Sequence, residues 1–244
     1  MNKMILSICL MGLIDSACAG MMGNVSVADY FVPFASGEGS VTWNTIKSVY
    51  IFDHPSSLSK QLWGGRGAVG LAHTLPNRFG YTAEMGWGYY GSTSSHNFGS
   101  APQGSLGITN SGNLYGFDLL AGLTYDFTSF QVNLKAGAMS ESRHINGTAV
   151  FRNTNNGNNY LSTNQLQSVS TNTLPEIKVG GLYFINENIG LSLAYMHVFG
   201  NDNFVASVTG AFSSPQATQG IASVTSAQNP SLDSLLFGLI YQFK

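Results

Sequence analysis

The chain has 244 residues, 43% hydrophobic and only 9% charged, against roughly 25% charged in an ordinary soluble domain. Ten Lys and Arg against twelve Asp and Glu leave a net charge of −2, which excludes a basic field for nucleic acid and an acidic, solvating tail. The 29 glycines, 7 prolines and 12% aromatics do not suit a disordered linker, and the length suits one domain.

The chain begins Met1-Asn2-Lys3, followed by an apolar run from Met4 to Ile14 and then Ala17-Cys18-Ala19. A charged start, an apolar core and an Ala-x-Ala exit predict a secretory signal over 1–19, cleaved before Gly20 and leaving a single domain over 20–244. Cys18 raises a lipoprotein alternative, but the residue three before it is Asp15, where such signals carry an aliphatic side chain. Both cysteines, Cys9 and Cys18, lie in the leader, so the mature chain is expected to have no thiol, disulfide or cysteine metal ligand. No later run reaches 18 consecutive apolar residues, so a transmembrane helix is not expected.

Downstream, the pattern has a period of two. A first strand is predicted over 34–44, with Glu38, Ser40 and Thr42 opposite Val41 and Trp43. In the second, Trp63, Val69 and Leu71 share a face with Gly65 and Gly67 while Arg66 points the other way; the turn 74–78 follows. In the third, Tyr81, Ala83, Met85, Trp87 and Tyr89 oppose Thr82, Glu84, Gly86, Gly88 and Tyr90. Tyr115 to Phe127 alternates through Phe117, Leu119 and Leu123 against Asp118 and Asp126. After Thr128-Ser129, Phe130, Val132, Leu134, Ala136 and Ala138 oppose Gln131, Asn133, Lys135, Glu141 and Arg143. So short a link predicts a tight hairpin. Ile177, Val179 and Tyr183 oppose Glu176 and Lys178; after the turn 186–188 come Ile189, Leu191, Leu193 and Tyr195, and Leu235 to Phe243 closes the series.

That makes eight strands. Their connections alternate between short ones (74–80, 128–129, 186–188) and long ones (45–61, 91–113, 144–173, 201–230) rich in Asn, Ser, Gly and Thr. An even strand count with short turns at one end and long loops at the other predicts an all-β, antiparallel, up-and-down transmembrane barrel. The last long connection repeats Ala206-Ser207-Val208-Thr209 as Ala222-Ser223-Val224-Thr225, which would zip as a hairpin and leaves a ten-strand barrel open. Lipid offers no hydrogen bonds, so a spanning sheet must close and turn its apolar face outward. A soluble, lipocalin-like barrel would have the same alternation with the apolar face inward. The charges distinguish the two: Glu38, Arg66, Glu84, Asp118, Lys135, Glu141, Arg143, Glu176 and Lys178 all lie opposite the aromatic-rich face. So few charges make a poor water-facing surface but suffice to fill a lumen, where they are expected to pair. Aromatics sort into two belts, with Tyr81, Tyr125, Phe127, Phe130, Tyr241 and Phe243 near the short turns and Trp87, Tyr89 and Tyr115 near the long loops, as expected of a spanning barrel.

The glycine-rich stretch from Gly64 to Gly70 with its following strand through Gly86, the segment Tyr115 to Phe127, and the closing Leu236-Phe237-Gly238-Leu239-Ile240-Tyr241-Gln242-Phe243 resemble the eight-stranded outer-membrane barrels of Gram-negative bacteria, the outer membrane protein A-like and opacity-protein superfamily. The resemblance implies residence in the outer membrane, contact with its lipid, insertion by the barrel assembly machinery, a monomer, and long outer loops that meet a host or cell-surface ligand as an adhesin or surface antigen does. Relatives usually end on the aromatic read at assembly, whereas here Lys244 follows Phe243. The peptidoglycan-binding domain of longer relatives is not expected.

Other motifs carry less. Gly65-Arg66-Gly67-Ala68-Val69-Gly70 matches the dinucleotide fingerprint in letters, but Leu71-Ala72-His73 leads to a turn rather than the helix that would hold the pyrophosphate. The glycines read instead as room for large lumen side chains such as Arg66. The five histidines show no metal spacing, and no GxSxG elbow occurs. His96 with Ser94 and Ser95, or His144 with Glu141, would be needed for rim catalysis. No cofactor, metal or enzymatic activity is expected; a small channel or carrier for hydrophobic compounds is the alternative to a surface role.

Overall fold

The computed structural model describes residues 31–51, 54–101, 104–127, 129–153, 160–200, 205–209, 223–226 and 229–244. The predicted signal over 1–19 lies outside them. The strands are β1 (Val32–Ile51), β2 (His54–Thr74), β3 (Phe79–Ala101), β4 (Gly104–Asp126), β5 (Phe130–Asn153), β6 (Tyr160–Phe184), β7 (Ile189–Val198), β8 (Val205–Thr209), β9 (Ser223–Ser226) and β10 (Leu232–Gln242). Strands β1 to β7 pair in sequence, β7 pairs with β10, and β10 pairs antiparallel with β1 from Phe34↔Gln242 to Asn44↔Leu232. This is a closed ring of eight antiparallel strands, which leaves no edge at that level.

The three short turns gather at one end. In the first, Arg78 N–H donates to the Leu75 carbonyl at 3.0 Å, and Arg78 takes a positive φ of 70°. Between β4 and β5, Phe127 N–H donates to the Phe130 carbonyl at 2.7 Å. Between β6 and β7, the Asn186 side-chain oxygen accepts from the amides of Asn188 (2.9 Å) and Ile189 (2.8 Å), an Asx turn that suits asparagine.

The opposite end departs from the sequence reading. Segments 45–61, 91–113 and 144–173, expected as loops, are mostly ladder: Thr45↔Ser59, Ser92↔Asn113 through Ala101↔Gly104, and His144↔Val169 through Asn153↔Tyr160 are paired. Their polar composition cannot build a core alone, but they need not. Each continues a strand pair already fixed by the barrel, so every added rung gains backbone hydrogen bonds without a new nucleation cost. The repeated Ala-Ser-Val-Thr segments do zip, with Ser207↔Thr225 and Val208↔Val224. That hairpin joins β1 in parallel at Ser48↔Val205 and stays outside the ring, so the barrel has eight strands rather than ten.

The burial pattern is inside out. Trp63 is 66% exposed, and Val69, Met85, Trp87, Phe117, Leu119, Leu123, Leu134, Leu191, Phe237 and Leu239 are also exposed, whereas Glu38, Arg66, Glu84, Asp118, Lys135 and Lys178 are buried. A soluble barrel has the reverse polarity. With its apolar wall outward and its backbone closed, this barrel fits a bilayer. Aromatic rings cluster at both ends: Phe79, Tyr125, Phe127 and Phe130 contact in series near the short turns, with Tyr241 and Phe243 a separate pair, and Trp87, Tyr89 and Tyr115 cluster toward the other end.

Candidate functional site: a sealed lumen

Tilt brings to one level residues that are far apart in sequence. Glu38 pairs directly across from Arg66 in the β1–β2 ladder, and Lys135 across from Lys178 in the β5–β6 ladder. Arg66 stands at the centre. Its Nη1 donates to Glu38 Oε2 at 2.9 Å, its Nη2 to Glu84 Oε1 at 2.9 Å, and its Nε to Asp118 Oδ2 at 2.8 Å, with a further Nη2 contact to Asp118 Oδ1. The planar guanidinium suits this task because its donors fan out in fixed directions. Lys178 donates to both oxygens of Glu38 at 2.9 and 3.0 Å and to Glu84 at 3.3 Å, and Lys135 donates to Glu84 Oε2. Three cations thus tie three carboxylates drawn from six strands.

The nine expected lumen charges all face inward, but they do not form one network. The carboxylate oxygens of Glu141 and Glu176 accept no hydrogen bond among the described residues, and neither they nor Arg143 enter the ion pairs around Arg66. The expected pairing is corrected to that extent. For Glu141 and Arg143 the reason is depth, whereas Glu176 lies only two residues from Lys178 on β6 and borders the charged layer without a hydrogen bond. Glu141 lies six residues past Lys135, roughly 20 Å farther along the strand.

Two glycines shape the charged layer. A Cβ at Gly86 would lie 2.5 Å from Arg66 Nη2 and 2.7 Å from its Cζ, and one at Gly88 would lie 2.7 Å from Tyr90 Cζ. The bare backbone of β3 is therefore the shelf on which both large side chains rest. On the side away from the short turns, Tyr90, Met139, Met196, Val198, Leu232 and Leu236 close over the charges as a fully buried apolar layer, and the Tyr90 hydroxyl donates to Met196 Sδ at 3.9 Å. On the short-turn side lies a polar cavity of about 40 Å³ bordered by Glu38, Glu84, Lys135, Lys178, Asn133 and Ser192, a volume that suits a few water molecules. Sequence reasoning missed the apolar layer, although Met139 falls in the lumen register between Lys135 and Glu141.

The catalytic alternatives do not assemble. Glu141 is fully buried in the lumen, whereas His144 is on the outer wall against Tyr115, with ring centroids 5.8 Å apart. The side chains of Ser94, Ser95 and His96 lie outside the described residues. The Gly65 to Gly70 stretch is strand throughout, with no helix after it, so the dinucleotide fingerprint is a coincidence of letters. Among the described residues no group of three or more His, Cys, Asp or Glu side chains could hold a metal ion.

No protein-family model matches the chain, and no curated protein matches it. Among solved structures, it is similar to Ail, the attachment invasion locus protein of Yersinia pestis, with 12% identity, 91% of this chain and 100% of that chain covered, and a TM-score of 0.40. Neisserial surface protein A matches at 13% identity over 87% of this chain and 97% of that one, with a TM-score of 0.34. The N-terminal barrel domain of Pseudomonas aeruginosa OprF matches at 14% identity over 86% and 97%, with a TM-score of 0.30. At scores this low, the barrel rests on this chain's own ladders and burial pattern. The chain is an all-β, closed, eight-stranded antiparallel barrel with its apolar wall outward and its charges inward.

Proposed function

We propose that this protein is an integral outer-membrane barrel, exported by its 1–19 signal and inserted by the barrel assembly machinery. On this reading it is non-catalytic and monomeric, and it acts at the cell surface as an adhesin or surface antigen. The single observation that carries the reading is the contrast between a sealed lumen and tall hairpins. The wall is apolar and the interior is filled and capped, while β1–β2, β3–β4 and β5–β6 continue as paired strands well beyond the ends of β7 and β10. A barrel whose ladders run this far past its shortest strands presents protein to the medium on a rigid base. The partner is a host or cell-surface ligand meeting those hairpins.

The membrane placement is tested by two measurements. Refolded protein run unboiled should migrate apart from boiled protein, and its Trp63 and Trp87 fluorescence should fall strongly in vesicles of brominated lipid because both rings are on the outer wall. Equal migration and unquenched emission would place the apolar face inward. For the surface role, protease added to intact cells should cleave within the hairpins, and deleting residues 92–113 should abolish ligand binding while leaving the unboiled band. The channel alternative predicts conductance steps in planar bilayers. The Tyr90, Met139 and Met196 layer favours none, because an eight-stranded barrel leaves little lumen even before it is capped.

A further inference from the structure

Among the residues whose side chains are described, Asp233 is the only charged one on the outward face of the eight barrel strands. It stands in the register of Leu235, Phe237 and Leu239, where the wall is otherwise apolar. Asp233 lies opposite His197 in the second-to-last rung of the β7–β10 ladder, and on its other side opposite Trp43 in β1. This is the end of the wall away from the short turns. There His197 Nδ1–H donates to Asp233 Oδ1 at 2.7 Å, and the Tyr195 hydroxyl donates to the same oxygen. Both donors converge on Oδ1, and among the described residues none reaches Oδ2. The side chain is 42% exposed, and among the described residues its one ion-pair partner is His197, when that ring is protonated, with no Lys or Arg within that distance. Phe199 packs edge-on to the His197 ring, with centroids 4.4 Å apart.

An ionised carboxylate facing the hydrocarbon boundary is unfavourable unless something neutralises it. Here two donors orient it and aromatic rings border it, a setting that also attracts cations through their π faces. A hydrolytic role is not supported. Ser231 lies on the same face, but its hydroxyl accepts from the Gly200 amide at 3.2 Å and donates to the Gly200 carbonyl at 3.3 Å, so it serves the end of the ladder. We infer that Asp233, oriented by His197 and Tyr195, is a docking site on the lipid-facing wall for the protonated primary amine of a membrane-lipid headgroup. Oδ2 accepts from the ammonium, and the acyl chains lie along Leu235, Phe237 and Leu239.

The inference rests on the wall facing lipid, which the unboiled gel tests separately. The probe is phosphatidylethanolamine, offered to the folded barrel in detergent together with phosphatidylglycerol of the same acyl chains, with retained lipid counted by native mass spectrometry. Wild type should retain the amine lipid by about fivefold over the glycerol lipid, the factor an exposed ion pair supplies. Asp233→Asn should lose that preference, and Glu187→Gln at the opposite rim should keep it. Unboiled gels of both variants separate lost binding from lost fold. Equal retention of the two lipids by wild type, an unchanged preference in Asp233→Asn, or equal retention of phosphatidylcholine, which has no N–H to donate, would each overturn the site.

Discussion

Replacing Arg66 by leucine is expected to lower the unfolding free energy of the barrel in lipid vesicles by about 3–5 kcal/mol, the cost of removing one partner from a buried ion pair. Arg66 bonds Glu38, Glu84 and Asp118. Its loss leaves Lys135 and Lys178 facing three carboxylates, with Glu176 also buried in the lumen. Asp118 suffers most because its side-chain bonds run to Arg66. Arg66→Lys should recover only part of the loss, since one ammonium cannot fork to three carboxylates as a guanidinium does. Pairing Arg66→Leu with Asp118→Leu should cost less than the two single losses added together, by about 0.5–3 kcal/mol, because the second change removes the carboxylate that the first leaves unpaired. Urea titration followed by tryptophan emission provides the measurement. A loss below about 1 kcal/mol would mean that water screens the layer as it does surface pairs.

Much of this layer is legible in the sequence. A period of two decides which face a residue takes, and Glu38, Arg66, Glu84, Asp118, Lys135 and Lys178 all face the lumen as their register requires. Alternation is silent about height. Shear sets which residues of neighbouring strands stand level, which is why Arg66 meets Glu84 and Asp118 while Glu141, equally inward, stays out of reach. Strand ends are less legible for a related reason: composition speaks for each loop as though it folded alone, whereas the ladders simply continue beyond Asn44 and Tyr89. Asp233 shares the sequence register of Leu235 and Phe237, but alternation alone does not say that His197 lies across from it. The capping layer is not legible in alternation, because Tyr90 and Met139 are isolated apolar side chains in an otherwise polar register. Together they pack with Met196 and Leu236 into one apolar floor across the barrel.

Gly86→Val is expected to weaken the barrel by more than the usual cost of overpacking, about 1–3 kcal/mol, although it adds only apolar atoms to a strand where valine is otherwise favoured. The reason is the shelf. A first carbon at position 86 would lie 2.5 to 2.8 Å from Nη2, Cζ and Nε of Arg66, and the guanidinium cannot withdraw without breaking its bonds to Glu38, Glu84 and Asp118. The damage therefore travels through the ion pairs. In an Arg66→Leu background the same Gly86→Val change should cost much less, since the crowded group is gone and the valine occupies part of the space it leaves. Gly37 supplies the contrast: a Cβ there meets nothing within 4 Å, so Gly37→Ala should be neutral or slightly stabilising through reduced freedom of the unfolded chain. Measured side by side in vesicles, a large loss at position 86 that shrinks without Arg66, and no loss at position 37, would show that this glycine is kept for the arginine above it. Equal losses at both positions would assign the effect to the strand backbone instead.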